Sequence, residues 1–171
     1  RQINMGLYET LISRTSVRNF SSAPISKEII TKIINAGHHA ATARNIQPWL
    51  FVVVTDAVRR KAIKDMCPNN GPYIEFAPVC VCVFCENVTY YLEDGSAATQ
   101  NILNAAHSFG LGAVWVVGDK KDYADKIREY LKVPNNYKLV SLIPIGYPSE
   151  KVKPTEKKPL EEKLFWEEYS K

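Results

Sequence analysis

Leu7, Tyr8, Leu11 and Ile12 recur at helical spacing and predict a first helix over about residues 5–13. After a polar break and Pro24, Ser26 has the chemistry of an N-cap, with Glu28 in the first turn. Ile29, Ile30, Ile33 and Ile34 then form the buried stripe of a second helix ending near Gly37. A loop of small residues, 40–45, leads through Gln47-Pro48-Trp49 into a predicted strand, Leu50–Val54. Asp56 caps a basic helix reaching about Met66, and Pro68–Pro72 reads as a loop. Val79–Phe84 is a strand, and Leu92–Phe109 is the longest helical stretch, stopped by Gly110 and Gly112. Ala113–Val117 is a third strand. Tyr123, Ile127, Tyr130 and Leu131 mark a fifth helix, and Lys138–Ile145 is the last strand. A polar stretch, 149–159, separates this body from a short amphipathic segment, Leu160–Tyr169, counted as a sixth helix. The pattern has six helices, four strands, no repeat and no internal linker, so residues 1–171 read as one domain. Leu160, Leu164, Phe165 and Trp166 sit on a polar arm and need a surface to cover; a partner subunit is one candidate.

Composition narrows the class. Apolar residues make up 46% and charged residues 23% of the 171, which suits a chain that buries a core rather than a disordered one. Charges, Asn or Pro interrupt every apolar run before it could span a membrane. The opening Arg-Gln-Ile-Asn-Met-Gly lacks the basic-then-apolar layout of a secretion signal; it does not begin with Met, so a trimmed start is allowed for. A net charge of +4, spread along the chain, suits a phosphate-bearing small molecule as well as a nucleic acid. No zinc-finger spacing or aromatic-basic RNA-binding motif supports the latter.

Three of the four cysteines lie in Val79-Cys80-Val81-Cys82-Val83-Phe84-Cys85. Alternation along a strand puts Cys80 and Cys82 on one face and Cys85 on the other, and no second pair follows at zinc spacing. The expectation is buried free thiols, no metal and a reducing, cytoplasmic setting. Hydrolase, zincin and P-loop signatures are absent, and His38, His39 and His107 are read as structural or surface residues. Gly110-Leu111-Gly112 precedes a strand, the reverse of a dinucleotide fingerprint.

Two segments are chemically unusual. Arg14-Thr15-Ser16-Val17-Arg18 packs two guanidinium groups and two hydroxyls into one short stretch after a helix. That is a donor fork suited to phosphate, although a solvated turn has the same composition. Thr42–Trp49 joins small residues, which admit a flat ligand, to Asn45 and Gln47, whose amides match a heterocycle edge; a well-capped loop ahead of a core Trp49 is the other reading.

Taken together, the chain resembles the FMN-dependent nitroreductase family. Arg14, Ser16, Arg18 and Phe20 match its opening Arg-x-Ser-x-Arg/Lys-x-Phe/Tyr. Asn45, Gln47, Pro48 and Trp49 match Pro-Ser-x-x-Asn-x-Gln-Pro-Trp, with Thr42 for the Ser and Ala41 for the Pro. Asp94, Gln100, Asn101 and Gly110-Leu111-Gly112 match the central helix, and Ile145–Pro148 with Lys157–Glu162 match the ending. The resemblance implies an α+β fold, with a mostly antiparallel central sheet flanked by helices, in an intertwined homodimer whose C-terminal arm, 149–171, packs on the partner subunit. It implies FMN as cofactor. Arg14, Thr15 and Ser16 would meet the phosphate and ribityl chain, Arg18 the pyrimidine edge, and Lys157 or Lys158 would close the phosphate site. Thr42, Ala43 and Asn45 would come from the second subunit, and Gln47 shares their motif. Val117 and Gly118 would approach the flavin N5 region by their backbone, and Asn70 is placed at the pyrimidine edge by counting back from Ala77-Pro78. The implied chemistry is ping-pong: NAD(P)H gives a hydride to the flavin and leaves, and a nitroaromatic, quinone or similar small acceptor takes the reducing equivalents. No side chain is then needed as nucleophile or general base, and none is expected to be catalytic. A non-catalytic flavin store or sensor would share every contact, and the same fold hosts dehalogenation, oxidase and flavin-fragmentation chemistry. The family's larger members carry extra helices between central strands, for which this chain has little room.

Overall fold

The computed structural model describes residues 6–170; the expected helix start at residue 5 lies outside them. In chain order the elements are α1 (Leu7–Ser13), α2 (Lys27–His38), a 3-10 turn (Ala43–Asn45), β1 (Trp49–Val54), α3 (Ala57–Met66) and β2 (Val79–Glu86). Then follow α4 (Tyr91–Ser108), β3 (Gly112–Ala113), β4 (Val116–Val117), α5 (Ala124–Tyr130), β5 (Tyr137–Gly146) and a second 3-10 turn (Leu160–Glu162). The caps form where their chemistry dictates: the Ser26 and Asp56 side chains accept from the Ile29 and Arg59 amides.

The strands make one antiparallel sheet in the order β1-β2-β5-β3, with β4 also on β5. Alternation along β2 divides the core in two. Val79, Val81, Val83 and Cys85 pack with α2 and α4 residues on one face, while Cys80, Cys82 and Phe84 pack with α3 and α5 residues on the other. The thiols lie on the faces the alternation predicts, and all four cysteines are free and buried. Burial pushes the Cys67 and Cys85 thiols up to about 12, and the Asp94 charge adds to the effect at Cys85.

A bulge positions α4. Val83 faces Ser141 and Phe84 faces Leu139, so β5 carries one extra residue, Val140. Val140 packs in the α4-side core, and Ser141 Oγ meets α4 at Thr99 Oγ1, 2.8 Å away. Gly95 makes room for the bulge: a Cβ there would sit 2.6 Å from Val140 Cγ2.

Two expectations are corrected. The single strand over 113–117 is interrupted. The Gly118 N–H donates to the Val140 carbonyl, so the even-numbered residues of β5 are those bonding this strand. Pro144 falls at such a position, opposite Val114, and has no N–H to give. The expected sixth helix over Leu160–Tyr169 is only the 3-10 turn Leu160–Glu162, with Leu160, Leu164, Trp166 and Tyr169 exposed. An isolated short segment gains too little from local bonds to hold a helix without packing. The described residues thus hold five α-helices and five strands.

Candidate functional site

α1 stops at Arg14, whose backbone is extended (φ −61°, ψ 131°). The chain then runs as a strap along β3. The Val17 N–H donates to the Ala113 carbonyl at 3.0 Å, and Gly112 has no Cβ because one would lie 2.5 Å from that of Val17. With Val17 buried, alternation turns Ser16 and Arg18 to the other side of the strap, the side shared with Arg14. Thr15 shares the Val17 side, and its Oγ1 meets Thr155 Oγ1 at 2.9 Å. The chain leaving β5 lies against the same strap: Phe20 bridges Pro148, and the Asn19 carbonyl accepts from the Ser149 amide. Lys157 follows Thr155 by two residues, so its Cα is within about 7 Å of the Thr155 Cα. Among the described residues, Arg14, Arg18, Lys157 and Lys158 make no ion pair.

Next to the strap, a cleft of about 720 Å³ opens between Ser13, His107, Leu111 and the outgoing chain at Pro148–Pro154. His107 Nε2 is 2.8 Å from Ser13 Oγ, joining α4 to α1. Burial, and then the nearby Arg14 charge, hold the imidazole below its ordinary value of 6.5.

The second segment folds into a tight, self-satisfied loop. Thr42 Oγ1 donates to Asp94 Oδ2 at 2.7 Å and accepts from the Gln47 amide at 3.0 Å. The Ala43 amide donates to Asp94 Oδ1 at 3.4 Å, and Gln47 Nε2 donates to the Asn45 carbonyl. Arg44, Asn45 and Gln47 all adopt positive φ, 53°, 56° and 53°. Behind the loop, buried Trp49 donates its Nε1 proton to His38 Nδ1. Asp94, which carried no expected role beyond its motif, is the acceptor on which the loop hangs.

A nitroreductase family profile matches residues 11–80 and 89–147. The chain belongs to the nitroreductase family, and it is an oxidoreductase. It is 35% identical over 152 residues, 85% of this chain and 79% of the relative, to a Methanothermobacter thermautotrophicus protein named NADH dehydrogenase/NAD(P)H nitroreductase. It is 27% identical to an iodotyrosine deiodinase of Nematostella vectensis, over 91% of this chain and 72% of that one. Among solved structures, a Bacteroides thetaiotaomicron protein of the same NADH dehydrogenase/NAD(P)H nitroreductase name superposes with TM-score 0.89 at 32% identity, covering 96% of this chain and all of that one. An FMN-dependent nitroreductase of Clostridium difficile gives TM-score 0.87 at 26% identity, covering 95% and 99%. Antiparallel sheet and flanking helices are as the resemblance implied.

In this member of the family, Val117 and Gly118 lie at the end of β4. The Gly118 N–H is already given to Val140, and the Val117 carbonyl accepts from the Tyr123 hydroxyl. Asn70 shares a cleft of about 420 Å³ with Tyr123 and Lys121, so Tyr123 touches both Val117 and the hollow that Asn70 lines. Tyr91, at the start of α4, donates to Asp119 Oδ1 at 2.8 Å; burial and then Asp119 push its phenol up to about 12. Among the described residues the strap and the 42–47 loop share no hydrogen bond or ion pair with each other; each lies against a different part of α4. His107, which meets Ser13 just ahead of the strap, and Asp94, which holds the loop, are thirteen residues apart on α4, about 20 Å of helix. Residues 67–78 form turns and no helix, so no extra helical layer covers this region between α3 and β2. No helix among the described residues is long and apolar enough to cross a membrane.

Proposed function

We propose that the protein is an FMN-dependent homodimeric oxidoreductase that takes reducing equivalents from NAD(P)H and passes them to a nitroaromatic, quinone or similar small acceptor. The observation that carries this reading is the strap: Arg14, Ser16 and Arg18 on one side of an extended segment, their cations without an ion pair among the described residues, with Lys157 and Lys158 just beyond the Thr15–Thr155 contact. That donor set fits a phosphorylated ligand, since guanidinium groups bind phosphate oxygens in charge-assisted, often bidentate bonds. Arg14, Ser16 and Lys157 or Lys158 would hold the phosphate end. Thr15 ties the outgoing chain to the strap and keeps hydroxyl capacity for the ribityl chain. Arg18 would hold positive charge beside the pyrimidine edge, where Asn70 would also contribute. Val117 and Gly118 would offer close approach of the backbone rather than a free Gly118 N–H. When bound, FMN supplies hydride acceptance and onward two-electron transfer; binding, orientation and charge are the work of the chain.

The separation along α4 supports the homodimer. The loop of Thr42, Ala43, Asn45 and Gln47 hangs on α4 at Asp94, about 20 Å of helix from His107 beside the strap, and on this reading a partner's loop completes the site. Leu7, Tyr8 and Ile12 of α1, with Leu160, Trp166 and Tyr169 of the arm, are exposed apolar side chains suited to that interface. On this reading residues 1–171 are one domain with 149–171 as the arm laid on the partner, and the four buried free thiols suit a reducing cytoplasm.

The test is the visible spectrum of the purified protein, then anaerobic addition of NADH or NADPH. One flavin per chain, bleached within seconds, supports the reading; a bound flavin inert to both nucleotides makes the protein a flavin store or sensor. The deiodinase relative favours a second reading, reductive dehalogenation. Iodide release from iodotyrosine, with no turnover of nitroaromatics or quinones, would select it.

A further inference from the structure

Asp94 is 5% exposed, in the first turn of α4, and makes no ion pair among the described residues. A buried carboxylate is costly unless its lone pairs are used. The helix N-terminus supplies favourable potential, and both hydrogen bonds it accepts through its side chain come from one place, the Thr42 hydroxyl at 2.7 Å and the Ala43 amide at 3.4 Å. The hydroxyl passes the constraint on by accepting from the Gln47 amide at 3.0 Å. Between these anchors, Arg44, Asn45 and Gln47 stand at positive φ, which side-chain-bearing residues adopt only when their surroundings over-determine it. Nothing in the apolar packing explains the strain, because Arg44, Asn45, Ile46 and Gln47 are all exposed. A strained, exposed tetrapeptide held by a buried charge is arranged to present something outward.

We propose that Asp94 is a positioning residue for cofactor binding: through Thr42 and Ala43 it locks the 42–47 loop into the strained shape that this loop offers to the FMN site of the partner subunit. This rests on the FMN reading above. It places the control of one subunit's cofactor affinity on α4 of the other. Asp94 touches no part of the ligand and acts only through the loop. The network is also a unit: removing Thr42 Oγ1 frees the Gln47 amide outright, and removing the Asp94 acceptor releases the hydroxyl that holds it.

The test uses the full chain as purified, as wild type, Asp94→Asn, Thr42→Val and the double variant. Two quantities are read: the FMN dissociation constant, from fluorescence released on dilution, and amide exchange at Ala43 and Gln47. Asp94→Asn keeps the shape but cannot accept at both oxygens. Thr42→Val keeps the branched shape, leaves Asp94 in place, and serves if the Asp94 variant fails to fold. The expected result is faster exchange at both amides and a dissociation constant raised about tenfold or more in each single variant. The double should be no weaker than about the worse single, because coupled residues are non-additive. Unchanged exchange would show that Asp94 does not hold the loop. Faster exchange with unchanged affinity, or a lowered unfolding midpoint with unchanged affinity, would reduce it to a structural residue. Additive losses would mean Thr42 and Asp94 act separately; each of these overturns the proposal. Wild-type protein that binds no FMN would overturn the function reading and the cofactor role of Asp94 together, with the exchange data still showing whether the brace exists.

Discussion

At the C-terminal end of α4, His107 meets Ser13 beside a strap whose Arg14 and Arg18 have no carboxylate partner among the described residues, next to an open cleft. At the N-terminal end, Asp94 and Tyr91 are each hydrogen-bonded, to Thr42 with Ala43 and to Asp119. One helix therefore joins a region of unspent donors to one where Asp94 and Tyr91 are already spent on hydrogen bonds. The difference shows what each end is built for. Unpaired cations have affinity in reserve for an anion, whereas a closed network holds geometry. A ligand bound at the first end gains most from charge. At the second it gains from not having to order the loop.

The largest effect should come from removing what closes the open end. Deleting residues 149–171 takes away Lys157, Lys158 and the Thr155 contact with the strap, along with the exposed apolar arm. The expected outcome is loss of both dimer and flavin in sedimentation and absorbance measurements; a truncated dimer with full flavin would show that the arm does neither job. Next is Arg14→Ala. Hydrogen bonds to charged groups contribute about 1.5–3 kcal/mol each, so FMN binding should weaken by about 2–4 kcal/mol, roughly 30- to 1,000-fold. Riboflavin, which lacks the phosphate, should be nearly unaffected, and Arg14→Lys should recover only part of the loss. Equal losses for both flavins in titration would remove the phosphate assignment and make the two ends alike.

A smaller effect probes the closed end. Gly95→Ala would put a Cβ 2.6 Å from Val140 Cγ2 and 3.0 Å from Cys85 Sγ, one residue after Asp94. Overpacking of this kind costs about 1–3 kcal/mol, to be read as a lower denaturation midpoint. It should also shift the loop that Asp94 anchors. The smallest effect is pH. The folded His107 pKa is depressed below 6.5, so folding favours the neutral ring. That contribution is full above about pH 6.5 and is lost progressively as pH falls towards the folded value. Unfolding at pH 5 and 7 should therefore differ more for wild type than for His107→Gln. Arg14→Ala should raise the His107 pKa in an NMR titration, since the Arg14 charge is one of its two causes.

Much of the fold was legible because local physics decides it. Isoleucine spacing and the Ser26 and Asp56 caps specify α2 and α3 almost to the residue, and β2 alternation sorts the cysteines correctly. The strap and the loop stood out because residue type alone carries their chemistry. What failed was non-local. Pro144 splits the strand at Val114 only because the two lie opposite each other in the sheet. The arm's apolar spacing resembles a helix, yet its Leu160, Leu164, Trp166 and Tyr169 stay exposed.

The sequence by itself determined which segments bury apolar faces, where helices begin and which residues could bind an anion, since propensity, capping and charge are properties of near neighbours. Only the tertiary structure decided that Thr15 is tied to Thr155, that Gly118 has no N–H to spare, that strap and loop stand at opposite ends of α4, and that Asp94 holds the loop. Those facts depend on which groups, tens of residues apart, come within hydrogen-bonding distance. That is set by the register of β5 and the bulge at Val140, and by the packing of α4 over them.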